Sequence, residues 1–201
     1  MENFVLFFFL IFSIIIHEYA HGFVAYHNGD DTAYLMGRLT LNPIAHLDPI
    51  GSVVLPLLLA LTIGVPVGYA KPVPINPIKF KDYKKAMVAV GSAGCITNFI
   101  AGFIFSLISG LTKGLTAEIF ELAGFINFIL CFFNLIPIPP LDGSRIIGVF
   151  LPLKAAVAFD KIEKYGLFII YALVFLGGFR FIVPFCSLLV NRFSVIGHLI
   201  L

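Results

Sequence analysis

Charge is what this sequence has least of. Only 12% of its 201 residues are charged, against 60% hydrophobic, and its mean hydropathy is +1.03. Soluble domains carry about 25% charged residues, so a soluble globular fold is excluded and a polytopic membrane protein is indicated. A net charge of +2 and the lack of a basic stripe with interleaved aromatics exclude nucleic acid as a partner. Cysteine is scarce as well. Cys95, Cys131 and Cys186 lie in apolar segments without paired spacing, which leaves them as small buried hydrophobes rather than disulfides or metal ligands. A basic n-region is missing, since Glu2 is the only charge before the apolar run that starts at Phe4, and no small-residue cleavage site precedes His17. The run is therefore read as an uncleaved spanning helix over 4–26, long enough for the hydrocarbon core. No internal repeat, low-complexity tail or second soluble domain is present, and a single integral-membrane domain over 1–201 is expected.

Into this uncharged background the chain sets Ile14-Ile15-Ile16-His17-Glu18-Tyr19-Ala20-His21-Gly22. Helical residues four apart share one face, so His17 and His21 can hold one metal ion between them. Glu18 is rotated about 100° from His17, close enough to touch a water on that metal. This is the H-E-x-x-H arrangement, two zinc ligands beside a general base. On a soluble helix such a pair could be an accident of a solvated face. At bilayer depth each ionisable group costs on the order of 3 kcal/mol, and such a concentration of them points to function.

The rest of the chain alternates between apolar runs and breaks. Residues 27–31 read as a polar turn, and 35–41 as a short strand ended by Asn42-Pro43. His46 and Asp48 flank a second turn and are assigned structural roles in preference to metal ligation. Residues 51–67, with Pro56 and Pro66, form either a marginal span or a re-entrant hairpin. The loop 69–85 carries Lys71, Lys79, Lys81, Lys84 and Lys85 against Asp82 alone, and the positive-inside rule makes it cytoplasmic. Spans are expected at 86–112, where Gly91, Ser92, Ala93 and Gly94 suit close helix packing, and at 119–136. Pro152 and Lys154 interrupt 146–159. Segments 165–181 and 182–201 are apolar again, with a turn marked by Gly177, Gly178 and Arg180. The expected fold class is an all-α polytopic membrane protein with about 4–6 transmembrane or re-entrant helices, plus a short membrane-associated β segment near residues 35–42.

Two histidines need a third protein ligand to make a zinc site with one open position. Asp142 is the best candidate. It follows the break Asn134-Leu135-Ile136-Pro137-Ile138-Pro139-Pro140-Leu141, with Gly143 allowing a tight turn. Unwound backbone at membrane depth is tolerated only where it is buried in protein or lines a wet cavity.

His17-Glu18-Tyr19-Ala20-His21, taken with Asn134-x-x-Pro137-x-Pro139-Pro140-Leu141-Asp142-Gly143, resembles the site-2 protease family of intramembrane zinc metalloproteases. Leu41-Asn42-Pro43, His46-Leu47-Asp48-Pro49 and Ala70-Lys71-Pro72-Val73-Pro74-Ile75-Asn76-Pro77 resemble its compact bacterial or archaeal branch, which lacks a PDZ domain. The likeness covers about residues 10–150. It implies one zinc ion per chain on His17, His21 and Asp142, with Glu18 as general base and Asn134 near the metal. Asn98 falls where the family often has Gly-Pro-x-x-Asn, here Gly94-Cys95-Ile96-Thr97-Asn98 without the proline. The implied activity is cleavage of transmembrane segments of other membrane proteins, in the cell membrane, by metal-activated water. The strand 37–41 would offer an edge to an unwound substrate. The alternative is a metal transporter or channel using the His/Asp site for ion transit. A span at 51–67 would make the helix leading to Asp142 antiparallel to that of His17; a re-entrant hairpin would make them parallel, as the family usually has them.

Overall fold

A computed structural model describes residues 2–48, 54, 61 and 71–200. Helix α1 covers Glu2–His27, an apolar run without proline. It stops at Gly29, whose φ of 106° lets the Asp30 N–H reach back to the Ala25 carbonyl at 3.0 Å. The turn expected at 27–31 is therefore the C-cap of α1. A single helical turn, α2 (Thr32–Leu35), follows.

Residues 35–41 do not form the expected strand. Leu35 closes α2, and Gly37 at φ 63° turns the chain so that its own N–H bonds Tyr34 and the Arg38 N–H bonds Ala33. The donors a sheet ladder would use are already on the preceding helix. No strand occurs among the described residues, so the β segment near 35–42 is corrected to a helix end and turn. A few alternating residues cannot be told from one helical turn plus its glycine cap.

Helix α3 (Tyr83–Leu111) starts at Asp82, whose carboxylate caps the Lys85 N–H at 3.2 Å. Gly114, at φ 62°, reverses the chain into α4 (Leu115–Asn134). Then come α5 (Asp142–Gly148), α6 (Leu153–Asp160), α7 (Gly166–Phe175) and α8 (Phe179–Ile200). Among the described residues, four stretches are long and apolar enough to cross a membrane, namely Phe7–His27, Tyr83–Leu111, Leu115–Asn134 and Phe179–Leu199. Helix α7, at 10 residues, is too short for a hydrocarbon core that needs about 20. Gly177, at φ 81°, makes the turn expected between it and α8.

Helix α3 is the centre of the bundle, in contact with α1, α4, α5 and α8. Small residues make this possible. A Cβ at Gly110 would stand 2.0 Å from the Ser194 carbonyl oxygen of α8, so only glycine permits that crossing. Phe128, Cys186 and Val190 form a buried cluster, with Phe103 and Phe193 packed around it. All three cysteines are free and buried, as read from the sequence.

Contacts fix the helix directions. Ser13 and His17 meet Asn98, His21 meets Val90, and Asn28 meets Lys81, so α1 and α3 are antiparallel. Phe9 meets Phe120 and Ser13 meets Asn127, so α1 and α4 are parallel. The expected span or hairpin at 51–67 lies outside the described residues apart from positions 54 and 61. Its flanks meet, since the Lys71 N–H donates to the His46 carbonyl at 2.9 Å. Helices α1 and α4 each run antiparallel to α3, and so parallel to each other.

Candidate metal centre

The parallel run of α1 and α4 brings the proline break after α4 to the His17 and His21 level of α1. Gly143 allows the close approach. A Cβ there would lie 2.2 Å from the Leu135 carbonyl oxygen, so α5 folds tightly over the end of α4 and sets Asp142 at its first position. His17, His21 and Asp142 are all buried, and their ligand atoms lie within 4.8 Å of one another. Asp142 Oδ2 is 2.9 Å from His17 Nε2 and 3.1 Å from His21 Nε2, and the two Nε2 atoms are 3.0 Å apart.

Neighbouring groups decide which nitrogen of each ring carries the proton. His21 Nδ1 is 2.6 Å from the Val90 carbonyl oxygen. A carbonyl only accepts, so Nδ1 donates and Nε2 carries the lone pair. His17 Nδ1 is 2.5 Å from Asn98 Oδ1. The Asn98 amide cannot be turned round, because its Nδ2 donates to the Ser13 carbonyl at 3.2 Å and to Asn127 Oδ1 at 2.8 Å. Asn127 is fixed in turn, donating to the Ala123 carbonyl and to Ser13 Oγ, while Ser13 Oγ–H donates to Phe9. Every member of this chain has one orientation, and each presents His17 Nε2 as an acceptor.

Three acceptors therefore face one another, with only the weak Cys95 thiol donor directed at Asp142 Oδ2, from 4.0 Å. Such a cluster is satisfied by a shared cation or by added protons. Two imidazole nitrogens and a carboxylate are a zinc ligand set with one position open. Ligands on a tetrahedral zinc ion stand about 3.3 Å apart, from bond lengths of about 2.0–2.1 Å, so this set closes on such an ion with a small relaxation. The outer partners match the rule that a metal-bound histidine donates its other N–H to a carbonyl or carboxylate.

The remaining candidates make contacts of their own. Glu18, half-buried, accepts the Val73 N–H on Oε2 at 2.8 Å. Asn134 ends α4 with its amide on the Leu130 carbonyl at 2.9 Å. His46 lies outside the cluster, its Nε2 on the Thr40 carbonyl at 2.8 Å. Cys95 Sγ approaches Asp142 Oδ2 at 4.0 Å. The sequence reading passed over Ser13, Asn127 and the Val90 carbonyl. Asn127 left a trace there, as a polar amide in the apolar run Phe125-Ile126-Asn127-Phe128.

The sequence profile of peptidase family M50 matches residues 110–177, the part that carries Asp142. A protein of Bacillus subtilis (strain 168) named "Putative zinc metalloprotease YwhC" is 40% identical over 178 residues, covering 83% of this chain and 77% of the relative. The chain belongs to peptidase family M50, the site-2 proteases. A second relative, "Putative zinc metalloprotease Rip2" of Mycolicibacterium smegmatis (strain ATCC 700084 / mc(2)155), is 28% identical over 173 residues, 82% of this chain and 64% of the relative. No solved structure matches. Membership in M50 makes the chain a hydrolase, a zinc metalloprotease with several membrane-crossing helices.

Proposed function

We propose that this M50 peptidase is an intramembrane endopeptidase of the cell membrane. It holds one zinc ion per chain on His17, His21 and Asp142 and cuts transmembrane segments of other proteins. The observation that carries this reading is the convergence of three acceptor atoms, 2.9–3.1 Å apart and with no N–H or O–H between them, inside an apolar helix bundle. Lipid offers such a cluster no solvation, so a bound cation is its natural complement.

Zinc supplies a Lewis acid there, making a water nucleophilic near neutral pH and polarising the scissile carbonyl. Glu18 takes the proton of the attacking water at its carboxylate and returns it to the departing amine. Asn134 contributes an amide to the tetrahedral oxyanion once it leaves the Leu130 carbonyl. Asn98, Asn127 and Ser13 hold the His17 ring, and the Val90 carbonyl holds that of His21. The substrate is a helix whose peptide bonds are hidden until it unwinds. The lysine-rich loop faces the cytoplasm.

The test is co-reconstitution with single-span membrane proteins, comparing wild type with Glu18→Gln. Wild type should release fragments cut within the span, and Glu18→Gln should bind zinc equally but leave the substrate intact. Equal cleavage by both proteins would end the reading.

A further inference from the structure

We infer that the backbone N–H of Val73 is a positioning donor for Glu18. This rests on the proposal above that Glu18 is the general base, and assigns a task to the proline-rich stretch after the loop. Val73 touches no reacting atom.

Glu18 needs something to hold it. A free glutamate side chain loses rotamer freedom when it is fixed, and a bond from elsewhere in the fold must hold it. The partner comes from 55 residues further along, where the Val73 N–H meets Oε2 at 2.8 Å. With one oxygen engaged, the carboxylate has one orientation before any substrate arrives. Such prior alignment is what makes a base effective.

The local sequence makes Val73 the one donor at this point. Pro72 and Pro74 flank it, have no N–H, and fix their own φ near −65°. The Val73 side chain is 4% exposed and packs on Gly22 of α1, where a Cβ would meet Val73 Cγ1 at 3.0 Å. The stretch is anchored on both sides of Val73. The buried Arg38 guanidinium donates to the Lys71 carbonyl at 2.8 Å and to that of Pro72 at 3.4 Å. The Lys71 N–H donates to His46, and the Asn76 N–H to the buried Asp30 carboxylate at 2.6 Å. A loosely seated lid would not be tied down by a buried acid, a buried base and a turn. This is a fixed wall that carries a donor to the base.

The decisive variant is an amide-to-ester replacement at Val73, which deletes the N–H and keeps the side chain. The same replacement at Ile75, two residues along the same stretch, is the control, since the bond to Glu18 comes from Val73. The Val73 ester should lower kcat about tenfold, a part of the 10²–10⁴ that a general base contributes, with KM and zinc content unchanged. The Ile75 ester should keep wild-type kcat. In the metal-free protein, the carboxylate stretch of isotope-labelled Glu18 should shift in the Val73 ester and not in the Ile75 ester.

An unchanged kcat, or a fall in zinc content that matches the fall in kcat, would overturn the inference. Should the Val73 ester fail to fold, amide exchange settles the point. The Val73 N–H should be protected in wild type and exchange faster in Glu18→Ala, whereas equal rates would refute the bond. The two claims fail separately. Glu18→Gln cleaving like wild type removes the base, and the inference with it. An inactive Glu18→Gln beside a fully active Val73 ester removes the positioning role alone.

Discussion

Gly94 of α3 lies directly against the His17 ring, so closely that a Cβ on it would stand 2.5 Å from both Cε1 and Nε2. No side chain fits there, and Gly94→Ala must push the ring away from Asp142. Zinc affinity should fall about 10–100-fold, the range seen when a metal-bound histidine loses its support. The bundle itself should survive, because alanine favours a helix by about 1 kcal/mol over glycine. Competition with a chromophoric chelator measures the first effect and thermal unfolding the second. Unaltered zinc affinity would show that the ring has room to spare.

The Asn98 amide is the link between His17 and the polar chain behind it. Asn98→Ala leaves His17 Nδ1–H without its acceptor, so either nitrogen can carry the proton, and zinc binding should weaken by about 10–100-fold. Asn127→Ala acts one step further back, because it removes one of the two acceptors that orient the Asn98 amide and leaves the Ser13 carbonyl. Its effect should be in the same direction and smaller. Zinc titrations of the two variants test the order. A loss at Asn127 equal to that at Asn98 would mean that Asn127 supports the bundle rather than the ring.

The candidate metal centre was legible because its cost is local. His17, Glu18 and His21 stand in an apolar run, and Asp142 follows a proline break, so each is conspicuous without knowledge of its neighbours. The spanning helices were legible for the same reason, and their ends differ by only a few residues from those expected. What the pattern could not carry is tertiary. Val73 looks like any apolar residue between prolines until α1 is folded against it. Gly37 could end a strand or cap a helix, and only the bonds to Ala33 and Tyr34 decide. Asn127 was visible as a polar residue in a span, but its partners lie on two other helices. The relative direction of α1 and α4 shows only in contacts between them, Phe9 with Phe120 and Ser13 with Asn127, which no local pattern encodes.

Outside the membrane, the Lys79 ammonium bonds the Asp31 carboxylate and holds its pKa below the usual range. An acid with a lowered folded-state pKa stabilises the fold above its ordinary pKa. That contribution disappears as pH falls through the lowered value. Both groups are well exposed, so the effect is small and screened by salt. Lys79→Met should therefore loosen residues 76–81 at neutral pH and low salt, with the difference from wild type vanishing in acid or in 1 M salt. Hydrogen exchange of this segment is the measurement. A difference that persists in strong acid would assign the effect to the lysine stem rather than its charge.

Asp142→Asn separates the needs of the metal from those of the fold. With metal bound, the change removes the one anionic ligand, and zinc affinity should fall by more than the roughly 100-fold that marks loss of an outer partner. Without metal the sign reverses. Asp142 Oδ2 then faces two imidazole lone pairs at 2.9 and 3.1 Å, three acceptors in search of a proton. The new amide supplies N–H donors to that gap and relieves a penalty of about 1–3 kcal/mol. Chelated Asp142→Asn should melt at a higher temperature than chelated wild type. Adding zinc should then raise the melting point of wild type and leave that of the variant almost unmoved, as expected for a ligand that binds only one of them. If chelated Asp142→Asn melts lower than chelated wild type, a donor already lies between these groups, and the argument for a bound cation loses its foundation.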